Sequence, residues 1–213
     1  MTVLLTTYSL LVCTLAVADK GLSLLQKGII KMTAASIFVS LPLIQFQRLT
    51  SFGIWILMGL IFSWIGDLCL IWRGTGRRFK LGILAFLLAH VAYGVAFIFA
   101  HFEPERATVF FVCLGLLGIV IYGRLKADMQ PSIRPAVMVY LFALTAMTAL
   151  AWSLVDSEAR FAFGFSATAF LVSDISVALQ RFGSHSQHHR LWGIPLYFGA
   201  QISFAILITE ALY

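Results

Sequence analysis

Two aspartates, Asp67 and Asp174, lie inside segments of the chain that are otherwise apolar. Each follows a small residue and precedes an apolar run, with Gly66 before Asp67 and Ser173 before Asp174. A carboxylate at membrane depth costs about 3 kcal/mol or more unless it is paired, hydrated or protonated. Two such acids in one small chain predict a polar site inside a helix bundle, where carboxyl groups can donate and accept protons.

Three further polar residues, Lys31, His90 and Gln201, also fall within apolar segments. On a helix, residues three or four positions apart share a face, and this spacing adds polar neighbours to the set. The resulting pairs are Ser63 with Asp67, His90 with Tyr93, and Tyr197 with Gln201. We expect these pairs to extend the polar site toward the middle of the membrane.

The elements that carry these residues must be membrane-spanning helices. Of the 213 residues, 61% are hydrophobic and only 11% are charged, whereas a soluble domain has about a quarter charged residues. The apolar runs are long and do not alternate, which indicates helices and not barrel strands. We predict an all-α polytopic membrane protein that forms a single transmembrane helical domain over residues 1–213.

Eight segments approach the length of about 20 residues that a bilayer core requires. They run near 3–18, 28–46, 53–72, 81–100, 107–123, 135–154, 161–179 and 191–211. The first resembles a signal peptide, but no Lys or Arg precedes it, so we interpret it as an uncleaved helix. The loops between the segments are short and polar.

Basic residues are distributed unevenly between the loops. Loops after odd-numbered helices hold eleven: Lys20, Lys27, Arg73, Arg77, Arg78, Lys80, Arg124, Lys126, Arg134, Arg181 and Arg190. Loops after even-numbered helices hold three: Arg48, Arg106 and Arg160. The positive-inside rule then places the odd loops in the cytoplasm and both termini on the other side. The net charge of +6 thus reflects topology, and we expect no nucleic-acid partner.

This orientation predicts one depth for the polar set. Asp67 and Asp174 lie six and seven residues before Arg73 and Arg181, so each is about 10 Å from the cytoplasmic basic belt. The same counting from Lys27, Lys80 and Arg190 places Lys31, His90 and Gln201 in the same half of the membrane. We therefore predict that five helices converge on one site near the cytoplasmic face.

Other polar groups support simpler interpretations. His185, His188 and His189 share a polar loop without an acidic or Cys partner, which favours a solvated loop over a metal site. The three cysteines, Cys13, Cys69 and Cys113, lie in separate apolar segments and are interpreted as packing residues. Lys31 has three alternatives: extension to the interface, binding of an anionic headgroup, or pairing with an aspartate.

These residues stand in a pattern that resembles the YhhN-like family of integral membrane lysoplasmalogenases. The similar pieces occur in the family's order from helix 2 to helix 8: Lys31, the segment Phe62–Leu70 with Asp67, the segment Gly82–Tyr93 with His90, the segment Phe170–Leu179 with Asp174, and the segment Tyr197–Gln201. One difference is Met32, since the family often has proline after the lysine.

The resemblance implies hydrolysis of the vinyl ether bond of a lysophospholipid, in what we expect to be a bacterial inner membrane. Such a bond is cleaved by protonating the β-carbon and adding water to the oxocarbenium ion. A carboxyl that stays protonated in the membrane can supply the proton, and a second can activate water. We predict that Asp67 and Asp174 share these roles with His90 as a third catalytic residue, without a metal or cofactor. We predict substrate binding by Lys31, Ser63, Tyr93, Tyr197 and Gln201, with Lys31 on the lipid phosphate.

Two other classes of protein remain open at this point. A transporter or proton-coupled carrier would also contain intramembrane acids, a histidine and a short repeat such as the one formed by Asp67 and Asp174. A ceramidase-like membrane metallohydrolase would need three metal-binding histidines at membrane depth, and only His90 is found there. Substrate-dependent release of aldehyde and sensitivity to chelators distinguish these classes.

Overall fold

The computed structural model describes residues 2–17, 21–72, 76–183 and 188–210. Lys20, Arg73 and His185, which entered the topology and metal-site predictions, lie outside these ranges. Within them the chain forms eight α-helices: α1 (Thr2–Val17), α2 (Leu24–Ile44), α3 (Ser51–Cys69), α4 (Arg77–Phe99), α5 (Pro104–Leu125), α6 (Arg134–Trp152), α7 (Ser157–Phe182) and α8 (His188–Glu210).

Seven helices, α2 to α8, are long enough and apolar enough to cross a membrane. Helix α1 is shorter, with 16 residues. The all-α architecture is therefore confirmed, and the chain is an integral membrane protein. Which side each loop faces stays a prediction. The helix ends differ from the expected ones by a few residues; α3, for example, ends at Cys69 and not near residue 72.

Local sequence explains where several helices begin. Ser23 and Gln26 form a reciprocal capping box at the start of α2, and the Thr50 hydroxyl accepts from the Gly53 amide at the start of α3. Asp156 caps α7 by accepting from the Ala159 amide at 2.7 Å. Such caps satisfy amide groups that a helix leaves unpaired, and each contributes about 1 kcal/mol.

Helix α4 lies at the centre of the bundle, packed between α3 and α6, and α8 packs against α7, α2 and α1. Helix α5 lies at the edge against α6, and within it only Gly118 and Leu125 are buried. Close packing at the centre requires small residues: a Cβ atom on Gly59 of α3 would collide with the ring of Tyr93 on α4.

The bundle is closed at the end where α4 and α6 finish. The loop after α4 pairs with the loop after α6, where the Glu103 amide donates to Ser153 O at 2.8 Å and the Val155 amide donates to His101 O at 3.1 Å. Beneath these loops, four phenylalanines from four helices pack together in edge-to-face, tilted or parallel pairs: Phe52, Phe97, Phe163 and Phe204. We call this group the aromatic floor; it separates the polar interior from that end.

The predicted topology can be tested by cysteine labelling in a background without Cys13, Cys69 and Cys113. A cysteine at Ala127, between α5 and α6, should react with an impermeant maleimide only from the cytoplasmic side, because basic residues retain loops there. A cysteine at exposed Val155, between α6 and α7, should react only from the opposite side. Labelling of both positions from the same side would contradict the topology.

Candidate active site

Asp67 is held by an ion pair and a tyrosine. Its carboxylate oxygen Oδ1 lies 2.9 Å from Nζ of Lys31, and the Tyr197 hydroxyl donates to Oδ2 at 2.7 Å. Lys31 Nζ also donates to the Asp67 backbone carbonyl at 3.4 Å. The Asp67 side chain is buried and that of Lys31 is 24% exposed. Of the three alternatives for Lys31, the structure shows pairing with an aspartate, which offsets the cost of a charge at this depth.

Asp174 has different partners. The Tyr140 hydroxyl donates to its Oδ2 at 2.8 Å, and His90 Nε2 lies 3.4 Å from the same oxygen. His90 is completely buried, and its ring meets that of Tyr140 edge-on with centroids 5.0 Å apart. Among the described residues, no Lys or Arg forms an ion pair with Asp174. Each acid therefore accepts from a phenol, but Asp67 also has an ammonium group beside it and Asp174 an imidazole.

A third polar group lies deeper, between the two acids and the aromatic floor. The Tyr93 hydroxyl donates to Gln201 Oε1 at 2.7 Å, and Ser63 Oγ is 3.5 Å from the same hydroxyl. All three side chains are buried. We call Ser63, Tyr93 and Gln201 the polar layer.

Both acids line a single cavity of about 230 Å³ in the half of the bundle away from the aromatic floor. Its polar wall also contains Lys31, Tyr140 and Tyr197, and much of the remaining surface is apolar. Arg181 and Arg190 line one end of the cavity, where α7 ends and α8 begins. The Arg181 guanidinium stacks over the Phe79 ring at 4.5 Å. The cavity thus combines two carboxyls, an apolar wall and a cationic end.

Their contacts divide the eight predicted site residues among three positions. Four of them line the cavity: Lys31, Asp67, Asp174 and Tyr197. His90 touches Asp174 from behind. The members of the polar layer do not line the cavity, although direct substrate contact was expected of Ser63, Tyr93 and Gln201.

Sequence reasoning missed Tyr140, the hydrogen-bond partner of Asp174. The available signal was weak: a single tyrosine, six residues after Arg134, in the otherwise apolar α6. It also missed Ser176, which lines the cavity and packs so closely on α8 that a Cβ atom on Gly193 would collide with its hydroxyl.

A metal centre requires several ligands in reach of one ion. Across residues 2–17, 21–72, 76–183 and 188–210, no group of three or more His, Cys, Asp or Glu side chains is arranged to hold one. His188 and His189 are described, whereas His185 of the same predicted loop is not.

Comparison with known proteins gives a family and several named relatives. The model of the YhhN family matches residues 26–208. Lysoplasmalogenase TMEM86A of Bos taurus is 31% identical over 166 residues, which cover 73% of this chain and 65% of the relative. Lysoplasmalogenase TMEM86B of Sus scrofa is 28% identical over 158 residues, 71% of this chain and 62% of the relative.

Lysoplasmalogenase TMEM86A of Homo sapiens is 29% identical over 160 residues, 73% of this chain and 65% of the relative. The chain therefore spans a little under two-thirds of the length of these curated relatives. No solved structure matches it significantly.

The ion pair between Lys31 and Asp67 predicts how the stability of a single and a double variant will differ. Replacing Lys31 with Met leaves Asp67 buried without its cation, so Lys31→Met should lower the free energy of unfolding by about 3 kcal/mol, the lower end for a buried pair. Adding Asp67→Asn removes the stranded charge and should recover most of that loss. Thermal unfolding in detergent measures both, with Lys80→Met, at an exposed lysine in the first turn of α4, as the control. A double variant no more stable than Lys31→Met would contradict the coupling.

Proposed function

The chain belongs to the YhhN family, and from that premise we propose that it is a membrane-embedded hydrolase of lysoplasmalogens. It would cleave the vinyl ether bond of lysoplasmenylcholine or lysoplasmenylethanolamine to a fatty aldehyde and a glycerophospho-alcohol. The observation that carries the proposal is the cavity lined by both Asp67 and Asp174. The names of the relatives, which are lysoplasmalogenases, support the substrate class.

The cavity suits a lipid with one charged end. A lysophospholipid carries a phosphate, and Arg181 and Arg190 stand at one end of the cavity where they would bind it. Guanidinium groups bind phosphate oxygens well because their N–H donors lie in one plane. Lys31 lies further in, beside Asp67, so we assign the phosphate chiefly to the two arginines because of their position at the end of the cavity.

The settings of the two acids suggest a division of roles. Asp67 has the Lys31 ammonium at 2.9 Å, which compensates a carboxylate charge, so we assign Asp67 as the base that activates water and stabilises the cation. Asp174 has no such cation among the described residues, and an uncompensated carboxylate is costly at membrane depth. We therefore assign Asp174 as the carboxylic acid that donates the first proton.

The proposed reaction then proceeds in three steps. Asp174 transfers its proton to the β-carbon of the vinyl ether, which leaves an oxocarbenium ion. Water attacks that cation and gives its proton to Asp67, forming a hemiacetal. The bond from the former vinyl carbon to the glycerol oxygen then breaks: Asp67 returns its proton to the departing oxygen, the hemiacetal hydroxyl gives its proton to Asp174, and the aldehyde is released. Both acids regain their initial states.

Residues around the acids would hold them in position. Tyr140 and His90 both face Oδ2 of Asp174, which orients the other oxygen toward the cavity. Tyr197 does the same for Asp67 from α8. The polar layer lies behind the cavity wall, so we assign Ser63, Tyr93 and Gln201 to supporting this arrangement and not to contacting the lipid directly.

The transporter alternative has less support. A carrier must open its site alternately to both sides, whereas here the paired loops and the aromatic floor close one end. The curated relatives bear the name lysoplasmalogenase and not that of a carrier.

We expect purified protein in detergent to release aldehyde from lysoplasmenylethanolamine. Asp67→Asn and Asp174→Asn each keep the shape of the side chain but cannot exchange a proton, so each should reduce kcat about 100-fold or more. Aldehyde can be measured with a coupled dehydrogenase. Asp128→Asn, at an exposed acid outside the cavity, is the matched control and should retain full activity.

Two results would overturn the proposal. Full turnover in both folded aspartate variants would exclude the acid–base scheme, and absence of aldehyde from the intact protein would exclude the activity. EDTA should leave the rate unchanged; loss of activity that Zn²⁺ restores would instead indicate a metallohydrolase.

A further inference from the structure

A second cavity, of about 90 Å³, lies between α5, α6 and α7. Its lining is almost entirely apolar and includes Leu114, Ile121, Leu141 and Leu171. Leu117, at its edge, is 48% exposed, so the cavity meets the outer surface of the bundle, which faces lipid. We call this the side cavity, and the cavity that contains both acids the main cavity.

The side cavity and the main cavity share part of their walls. Four of the described residues line both: Val137, Tyr140, Asp174 and Ala178. The hydrogen-bonded pair of Tyr140 and Asp174 therefore stands at the boundary. On one side of that boundary are a second acid and two arginines, and on the other side is an apolar space.

We propose that the side cavity binds the hydrocarbon chain of the lysolipid substrate. This inference rests on the proposed function and specifies where the substrate lies. The vinyl ether joins the polar glycerophosphate to the apolar chain, so a site for its cleavage needs a polar and an apolar compartment that meet at the proton donor. The two cavities meet at Asp174, the residue assigned that role.

The energetics favour the same placement. Exposure to water would cost a hydrocarbon chain about 0.8 kcal/mol per methylene group, and a chain that passes from the bilayer directly into an apolar cavity avoids that cost. Helix α5 lies at the edge of the bundle, and the lip at Leu117 opens toward the bilayer. The chain would therefore enter sideways between helices, while the headgroup reaches Arg181 and Arg190 through the main cavity.

Filling the side cavity would then hinder a long chain more than a chain too short to reach it. Ile121 points into it from α5, whereas Ile119 on the same helix is 66% exposed and lines neither cavity. Replacing each with Trp makes a matched pair of variants. Ile121→Trp fills the side cavity, and Ile119→Trp adds the same bulk to the lipid-facing surface.

The first test is independent of turnover. A lysophosphatidylethanolamine with a diazirine at the end of its acyl chain is photolysed in the purified protein, and labelled peptides are mapped by mass spectrometry. We expect labels on α5, α6 and α7 residues of the side cavity, and about tenfold less labelling there in Ile121→Trp than in Ile119→Trp. Equal labelling by a diacyl phospholipid with the same diazirine, or labels only elsewhere, would overturn the proposal.

The second test uses turnover. Ile121→Trp should reduce kcat/KM for a long-chain lysoplasmalogen about tenfold or more relative to a short-chain one, and Ile119→Trp should leave the ratio unchanged. If the intact protein cleaves both substrates and the ratio in Ile121→Trp does not change, the chain lies elsewhere although the proposed function stands. If the intact protein cleaves neither substrate while the diazirine labels the side cavity, the proposed function fails and the lysolipid site stands.

Discussion

The structure depends on compensation of one buried charge, that of Asp67. Hydrocarbon surroundings offer no water to solvate a carboxylate, so the partners must come from the protein itself. Lys31 and Tyr197 provide them from α2 and α8, which fixes how these two helices are placed against α3. The same constraint extends inward, where Tyr93 and Gln201 pair between α4 and α8. Apolar contacts alone would let each helix rotate about its own axis. The polar contacts therefore fix which face each helix turns toward its neighbours.

Asp174 is also a carboxyl group inside the bundle, but in the described part of the chain its neighbour is His90 and not a lysine. Asp174 accepts a hydrogen bond from Tyr140 on Oδ2, with His90 close to the same oxygen, and its side chain is 14% exposed. Two carboxyls of the same type thus differ because one has an ammonium neighbour and the other does not. Under the proposed function, this difference in surroundings, produced by a single lysine, gives one group the role of acid and the other the role of base.

Much of this arrangement could be predicted from the sequence because helix position translates directly into depth. Counting residues from the basic loops predicted that Lys31, Asp67, His90, Asp174 and Gln201 converge, and the structure brings Lys31 to Asp67 and His90 to Asp174, while Gln201 pairs with Tyr93 deeper in the bundle. Counting gives height along a helix axis, at about 1.5 Å per residue, but not how each helix is rotated toward its neighbours. That rotation decides that Lys31 meets Asp67 and His90 meets Asp174, and that Gln201 lies behind the cavity wall. Tyr140 was missed for a related reason: single tyrosines are common in membrane helices, and only its orientation toward Asp174 distinguishes it.

The aromatic floor has a consequence for the membrane as a whole. Acids and tyrosines that line a cavity, and a histidine behind one of the acids, are groups that can relay protons, and a continuous chain of such groups across a bilayer would dissipate the electrochemical gradient. Phe52, Phe97, Phe163 and Phe204 have no group that can carry a proton, and they fill the bundle between the polar layer and the closing loops. Under the proposed function, acid–base chemistry could therefore take place within the thickness of the membrane while its electrical insulation remains intact.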